Sequence, residues 1–344
     1  MANNQVVSGE QALSVARDLL DLMICRIPGL KGKEKIELEK RFDNEEDFSV
    51  LSRQDIEQLV ERTIIGRKWK MSEIRFLAEK DAAISAKLGI HTVSWRQETY
   101  PPLLREIFDP PVLLFYRGVL PDPGKPMVAV VGTRKPTSAA VARAFALGRE
   151  LGEAGINVVS GLALGIDAMA HRGNIEGRAH TVAVLGSSPD LVYPASNREL
   201  ARRILETGGL ILSEYPPGTR PLKWHFPERN RIISALARGT VIVEAPEKSG
   251  ALITARFAIE QDRDLWVDRV GVSSKLGGGT ARLAEEGAGL ISSAADILAE
   301  WNMAGEADGV LVEKKLKKEN SKEPVQGNGA FLASSLADDL GIKL

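Results

Sequence analysis

The sequence predicts an α/β fold, a doubly wound and mainly parallel sheet preceded by a small all-helical region. Three observations predict it. From Met127 onward short continuous apolar runs alternate with helical patterns, two of those runs empty into glycine loops that open helices, and the first 87 residues carry apolar positions at three- and four-residue spacing instead.

In chain order, Leu13, Ala16, Leu19, Leu20 and Met23 mark the helical region, which is expected over residues 1–90. Ile27-Pro28-Gly29-Leu30-Lys31-Gly32 interrupts it. Such a turn either ends a helix or, as in helix-hairpin-helix modules, cradles a nucleic-acid backbone. A connector over 91–126 holds two short strands, one within Leu88 to Arg96 and one from Val112 to Tyr116, stiffened by Pro101, Pro102, Pro110 and Pro111.

Strands are then expected at 127–131, 156–159, 181–185, 210–213, 240–243, 264–267 and 288–291. Runs such as Thr181-Val182-Ala183-Val184-Leu185 are what a sheet buried on both faces requires. This α/β domain is expected over 127–301. Residues 302–344 read as a charged linker or tail, because Glu306 to Asn328 holds too few apolar residues to order itself, with one short helix expected from Phe331 to Leu340.

The chain has 344 residues, 45 Lys and Arg against 46 Asp and Glu, and 44% hydrophobic residues. Charge is not evenly spread: Met127 to Arg238 holds 14 basic residues against 9 acidic ones, so the basic surplus lies in the middle. The single cysteine, Cys25, forms no internal disulfide and suits a reducing cytoplasm. The N-terminus has no cationic start followed by an apolar block, and no run reaches membrane-spanning length. A cytoplasmic protein without a membrane partner is expected.

Two strands feed helix N-termini through small-residue loops, Gly132-Thr133-Arg134 and Ser160-Gly161-Leu162-Ala163-Leu164-Gly165. In an open parallel sheet such loops lie side by side where ligands bind, and their N–H groups favour an anion. Arg134, a cation inside the first turn, points to phosphate. Neither loop is a GxGxxG fingerprint or a Walker lysine loop, so no cofactor is expected.

The connection Glu214 to Arg231 carries four basic residues and four rings in eighteen positions. Rings interleaved with cations suit single-stranded nucleic acid, since bases stack while cations meet phosphates. Alternatively Trp224 and Phe226 enter the core or a subunit interface. Asp167 and His171, four apart on a helix, share a face. With no other His or Cys at ligand spacing, a metal is not expected; the expectation is Asp167 as a helix cap and His171 as its hydrogen-bond partner. No nucleophile is paired with a base, so an enzyme is not expected.

Read together, the motifs resemble the bacterial DNA-processing protein A family (DprA, also called Smf). They run in order from Tyr100-Pro101 and Asp109-Pro110-Pro111 through Val130-Val131-Gly132-Thr133-Arg134, Ser160-Gly161-Leu162-Ala163, Gly165-Ile166-Asp167, Tyr193-Pro194 and Ser213-Glu214-Tyr215. Phe226-Pro227, Arg229-Asn230-Arg231-Ile232-Ile233, Val243-Glu244-Ala245, Ser249-Gly250 and Leu252-Ile253-Thr254-Ala255 continue the series. The resemblance implies an extended Rossmann-like domain that binds single-stranded DNA, forms a homodimer and helps load a RecA-type recombinase during natural transformation. It also implies a sterile-alpha-motif-like N-terminal domain. Family DNA contacts would map onto Gly132, Thr133, Arg134 and Ser138, onto Ser160 and Gly161, and onto Lys223, Phe226, Asn230 and Arg231.

The chain departs from the family pattern at Asp268-Arg269-Val270-Gly271, at Thr280-Ala281 and at Gly186-Ser187-Ser188, so the resemblance carries no DNA role onto residues 268–281. The stretch after Trp301 is too short and polar for the winged helix of many relatives. An alternative reading is a small-nucleotide enzyme or sensor resembling cytokinin-activating phosphoribohydrolases, but Leu283 stands where their glycine motif has its glutamate. A third is an assembly protein that uses Trp224 and Phe226 as interface anchors.

Overall fold

The computed structural model describes residues 9–303, with side chains from residue 18. The expected tail and the helix at Phe331 to Leu340 lie outside the described residues. The chain divides into one unit up to Ile297 and a second from Leu298, and the sheet with its surrounding loops belongs to the first.

Among the described residues nine strands form one sheet: β1 His91–Ser94, β2 Leu113–Gly118, β3 Met127–Val131, β4 Asn157–Ser160, β5 Val182–Val184, β6 Leu210–Ser213, β7 Gly239–Ile242, β8 Asp264–Asp268 and β9 Gly289–Ile291. Their order is β1-β2-β6-β5-β4-β3-β7-β8-β9. The seven strands from β3 to β9 pair in parallel, as their uninterrupted apolar runs require. The sheet does not end with them. β2 pairs antiparallel with β6, Phe115 opposite Ser213, and β1 pairs antiparallel with β2. The two connector strands therefore extend the main sheet.

The winding reverses between β3 and β7: from β3 the chain steps outward through β4, β5 and β6, then returns to lay β7 on the other side. The loops after these two strands border the crevice in which ligands of open α/β sheets bind. One apolar cluster covers one face of the sheet, with Val131, Val159, Val184, Ile232, Ile233 and Leu236 at its centre. A second, around Leu162, Ala168, Leu185 and Ile204, covers the region beside β4 and β5. The N-terminal helices have their own core, Leu20, Met23, Ile24, Phe48, Ile56 and Ile74, into which Val112, Leu113 and Phe115 insert.

The helices that start at the two glycine loops, Ser138–Glu153 and Ile166–Glu176, touch backbone to backbone. A Cβ on Gly148 would stand 2.3 Å from the Ala170 carbonyl oxygen, and one on Gly173 2.0 Å from that of Phe145. Only glycine permits that approach. It brings the two loops into contact, where the Ile166 amide donates to the Thr133 carbonyl over 3.3 Å.

Candidate nucleic-acid interface

The first loop is held by β7. The Thr133 amide donates to the Glu244 carbonyl over 2.8 Å. The wholly buried Glu244 carboxylate accepts from the Thr137 amide and the Thr137 hydroxyl, both at 2.8 Å, and from the Ser274 hydroxyl. Thr137 in turn caps the helix by accepting from the Ala140 amide. The loop is thus fixed across the winding reversal, while Arg134, Lys135, Ser138 and Ala139 remain exposed on its outer side.

The second loop is held from beneath. Asp167 Oδ2 accepts from the Gly161 amide at 3.1 Å and from the Ala163 amide at 3.4 Å. Behind it lies Arg229, 4% exposed, whose Nη1 donates to the Gly161 carbonyl at 2.9 Å and to the Val184 carbonyl. Burial pushes the Asp167 carboxyl up and lowers Arg229 to about 10, while the opposite charge of each works against that shift. Arg229 stays cationic at neutral pH.

These contacts correct two expectations. Phosphate cannot use the amides of Thr133, Thr137, Gly161 and Ala163, because the protein's own carbonyl and carboxylate oxygens already occupy them. Nor does His171 partner Asp167. Its Nδ1 lies 2.7 Å from the Thr181 hydroxyl, which itself donates to the Val158 carbonyl at 2.8 Å. The hydroxyl proton is committed there, so Nδ1 carries the histidine proton and donates it. Nε2 is buried without a hydrogen-bond partner. Burial, with the Arg229 charge, lowers His171 to about 3. The helix is capped by Gly165 without a side chain, and Asp167 serves the loop instead.

The aromatic connection differs from its sequence reading in its last third, where a helix runs from His225 to Leu236. Pro227 sits in its first turn, where an amide has no intrahelical partner to lose. Helical phase then separates neighbours. Arg229, Ile232, Ile233 and Leu236 lie on the buried face. His225 also turns inward, stacking on Tyr215 at 3.9 Å and donating from Nδ1 to the Gly186 carbonyl at 3.1 Å. Trp224 does not enter the core: it is 59% exposed, beside exposed Leu222 and Lys223.

Phe226 is half-buried and lies between the first glycine loop and the loop after β5: the Arg134 guanidinium lies 5.5 Å from its ring centroid, and the Tyr193 ring lies 5.6 Å away on a tilt of 44°. Tyr193 is 48% exposed. The structure therefore brings Gly132, Thr133, Arg134, Ser138 and Phe226 to one place, with Lys223 at the head of the same helix. Ser160 and Gly161 lie buried beneath it, the Ser160 hydroxyl donating to the Val130 carbonyl at 2.6 Å. Asn230 Nδ2 donates to the Gly250 carbonyl at 3.2 Å. Arg231 is held by Glu214, Nη2 to Oε1 at 2.7 Å, with Asp109 at 3.7 Å.

Sequence reasoning placed Arg229 and Glu244 in motifs but gave neither a role of its own. Arg229 was recoverable from its three-, four- and seven-residue spacing to Ile232, Ile233 and Leu236, which marks a buried face. Glu244 left no such signal, because its main partner is 107 residues away.

The profile of the DNA recombination-mediator protein A family matches residues 91–302, well over half the chain. The chain belongs to that family. DNA processing protein DprA of Bacillus subtilis (strain 168) is 40% identical over 62% of this chain and 71% of its own length. The X-ray structure of DprA from Streptococcus pneumoniae superposes with a TM-score of 0.66 at 34% identity, covering 85% of this chain and 96% of that one. A Helicobacter pylori DprA structure, described as showing a unique single-stranded DNA binding mode, gives 0.54 at 31% identity over 62% of this chain and 95% of its own. These DprA relatives share the Rossmann-like architecture of this chain.

Proposed function

We propose that this protein binds single-stranded DNA across the crevice between β3 and β7 and acts as a recombination mediator, delivering the strand to a RecA-type recombinase. The observation that carries the reading is the pairing of Arg134 with Phe226, a cation set against a partly open ring beside exposed Lys135, Tyr193, Lys223 and Trp224. Phosphates meet Arg134, Lys135 and Lys223, together with the amides of Ser138 and Ala139. Those two amides open a helix of 16 residues and have no partner within it. Bases stack on Phe226 and Tyr193, each stack contributing about 1–3 kcal/mol. Glu244, Asp167 and Arg229 hold the loops rigid and do not touch the strand.

Its DprA kinship and the single-strand binding named for the Helicobacter pylori relative support this reading. The action is binding rather than catalysis, by a homodimer in the cytoplasm.

A labelled oligothymidylate titrated by fluorescence polarisation against single-stranded and duplex competitors tests it. Single strands are expected to compete better. Arg134→Ala should weaken binding for all sequences alike and reduce the slope of log affinity against log salt by about 0.7 for each phosphate no longer neutralised. Unchanged affinity in a folded variant would remove Arg134 from the site. Light scattering reports the dimer, and recombinase nucleation on coated single strands reports loading.

A further inference from the structure

We propose that the turn Pro28 to Lys33, the segment 65–70 and Phe108 form a second contact for the same single strand, gripping its phosphodiester backbone with lysine and arginine side chains and stacking one base on Phe108. This inference rests on the single-strand reading and assigns that ligand a second surface.

Charge singles the surface out. Residues 28–35 and 62–70 hold seven Lys and Arg and one acid, Glu34, in a chain whose net charge is −1. Two of the cations are used internally: Arg62 pairs with Glu34 at 2.6 Å, and Lys35 Nζ donates to the Cys25 carbonyl at 2.6 Å. Lys31, Lys33, Arg67, Lys68 and Lys70 are exposed; among the described residues Glu73 stands 4.0 Å from Arg67 and the Glu34 carboxylate feels the Lys31 charge. Among them stands Phe108, 78% exposed, with Lys33 Nζ 4.6 Å from its ring centroid. A ring left in water beside a cation repeats the chemistry of Phe226 and Arg134.

The three segments are fastened together, so these charges are displayed on a fixed frame. Arg62 Nη2 donates to the Gly29 carbonyl at 2.8 Å, and a Cβ on Gly29 would stand 2.8 Å from Ile64 Cγ2. The Gly32 amide donates to Asp109 Oδ1 at 2.8 Å, and a Cβ on Gly32 would stand 2.1 Å from the Pro110 carbonyl oxygen. The Lys31 amide is likewise taken by Glu34 at 2.7 Å, so these two amides are used within the protein while the Lys31 and Lys33 side chains are exposed. Asp109 also links this surface to the first one: its Oδ2 lies 3.7 Å from Arg231, which holds Glu214 where the aromatic connection begins. Regular phosphate charge with stackable bases suits cations spread around a ring better than an acidic protein segment does, since the latter supplies nothing to stack.

The test uses the full chain carrying Lys31→Ala, Lys33→Ala, Lys68→Ala and Phe108→Ala, with oligothymidylates of about 6 and about 30 nucleotides, one within and one well beyond the roughly 4–16-nucleotide footprint of a single-strand module. The 30-mer is expected to bind at least ~10-fold more weakly, with a salt slope smaller by about 0.7 per phosphate released, while the 6-mer binds as before. Lys33→Glu alone should lower 30-mer affinity more than Lys33→Ala does. A folded quadruple variant with parental 30-mer affinity and slope overturns the proposal, as does one that keeps DNA affinity but loses binding to polyglutamate. Failure of the underlying reading looks different: there the parent binds neither oligonucleotide, or Arg134→Ala leaves the 6-mer unaffected.

Discussion

The two glycine loops look alike in sequence and are built for different tasks. Each follows a parallel strand, opens a helix and has its amides satisfied by an internal acid, Glu244 for the first and Asp167 for the second. Around the second the contacts turn inward: Gly161 and Leu162 are buried, and a buried arginine backs the carboxylate. Around the first they hold the loop by one side and leave Arg134 and Lys135 outside. A small-residue loop at a strand end is therefore not a phosphate cradle in itself. What decides is whether its amides are still free, and here that leaves the rim side chains and the two amides, Ser138 and Ala139, that open the helix after the first loop.

That contrast can be broken at its strongest point. Arg229→Leu would leave the buried Asp167 carboxylate without its cation, so unfolding free energy should fall by about 3–5 kcal/mol, read as a lower urea midpoint. If the midpoint moves little, the second loop is not held electrostatically.

Acid tests the same region. His171 has a folded pKa of about 3, below its ordinary 6.5, so the unfolded chain binds the extra proton between those values. Stability is complete above about 6.5 and is lost as pH falls, by about 3 kcal/mol on reaching pH 4.5. Asp21 opposes it: burial and the nearby Glu39 carboxylate raise it from 3.8 to about 7, so its folded form binds more protons and stability falls as pH rises through that window. The histidine slope should accordingly stand out in an Asp21→Asn background and vanish when His171→Asn is added, as measured by urea unfolding at a series of pH values.

A smaller effect is expected of Gly161→Ala. The new methyl would stand 2.6 Å from Arg229 Nη2 and 2.8 Å from Asp167 Oδ2, both buried and fixed, costing about 1–3 kcal/mol in thermal or urea denaturation. Arg134→Ala closes the series: on the open rim it should change stability by less than about 0.5 kcal/mol while weakening single-strand binding. A variant that lost both together would erase the distinction between inward and outward loops.

Much of the fold was legible. Val128 to Val131, Val182 to Val184 and Gly239 to Ile242 are short apolar runs bounded by turns, and a parallel sheet buried on both faces is the structure that uses such runs. Sequence also singled out Arg134 and Phe226, which the structure sets against each other, because a cation in a glycine turn and a ring among basic residues are local patterns. It read the strands near 91 and 113 as a connector, since nothing local says that Phe115 will face Ser213 across nearly a hundred residues. It counted Arg229 with Arg231 among the basic residues of one connection, although one helical phase sends the first under the Gly161 loop and the other toward Glu214.

By itself, then, the sequence determined which segments are strands and helices, where the glycine loops fall and which motifs carry the DprA kinship, because each depends on residues close together in the chain. The tertiary structure alone decided which loop amides remain open, which arginine is buried and which acid holds which loop. Those outcomes depend on hydrogen bonds such as Glu244 to Thr137 and Arg229 to Gly161, whose partners become neighbours only after the sheet has formed.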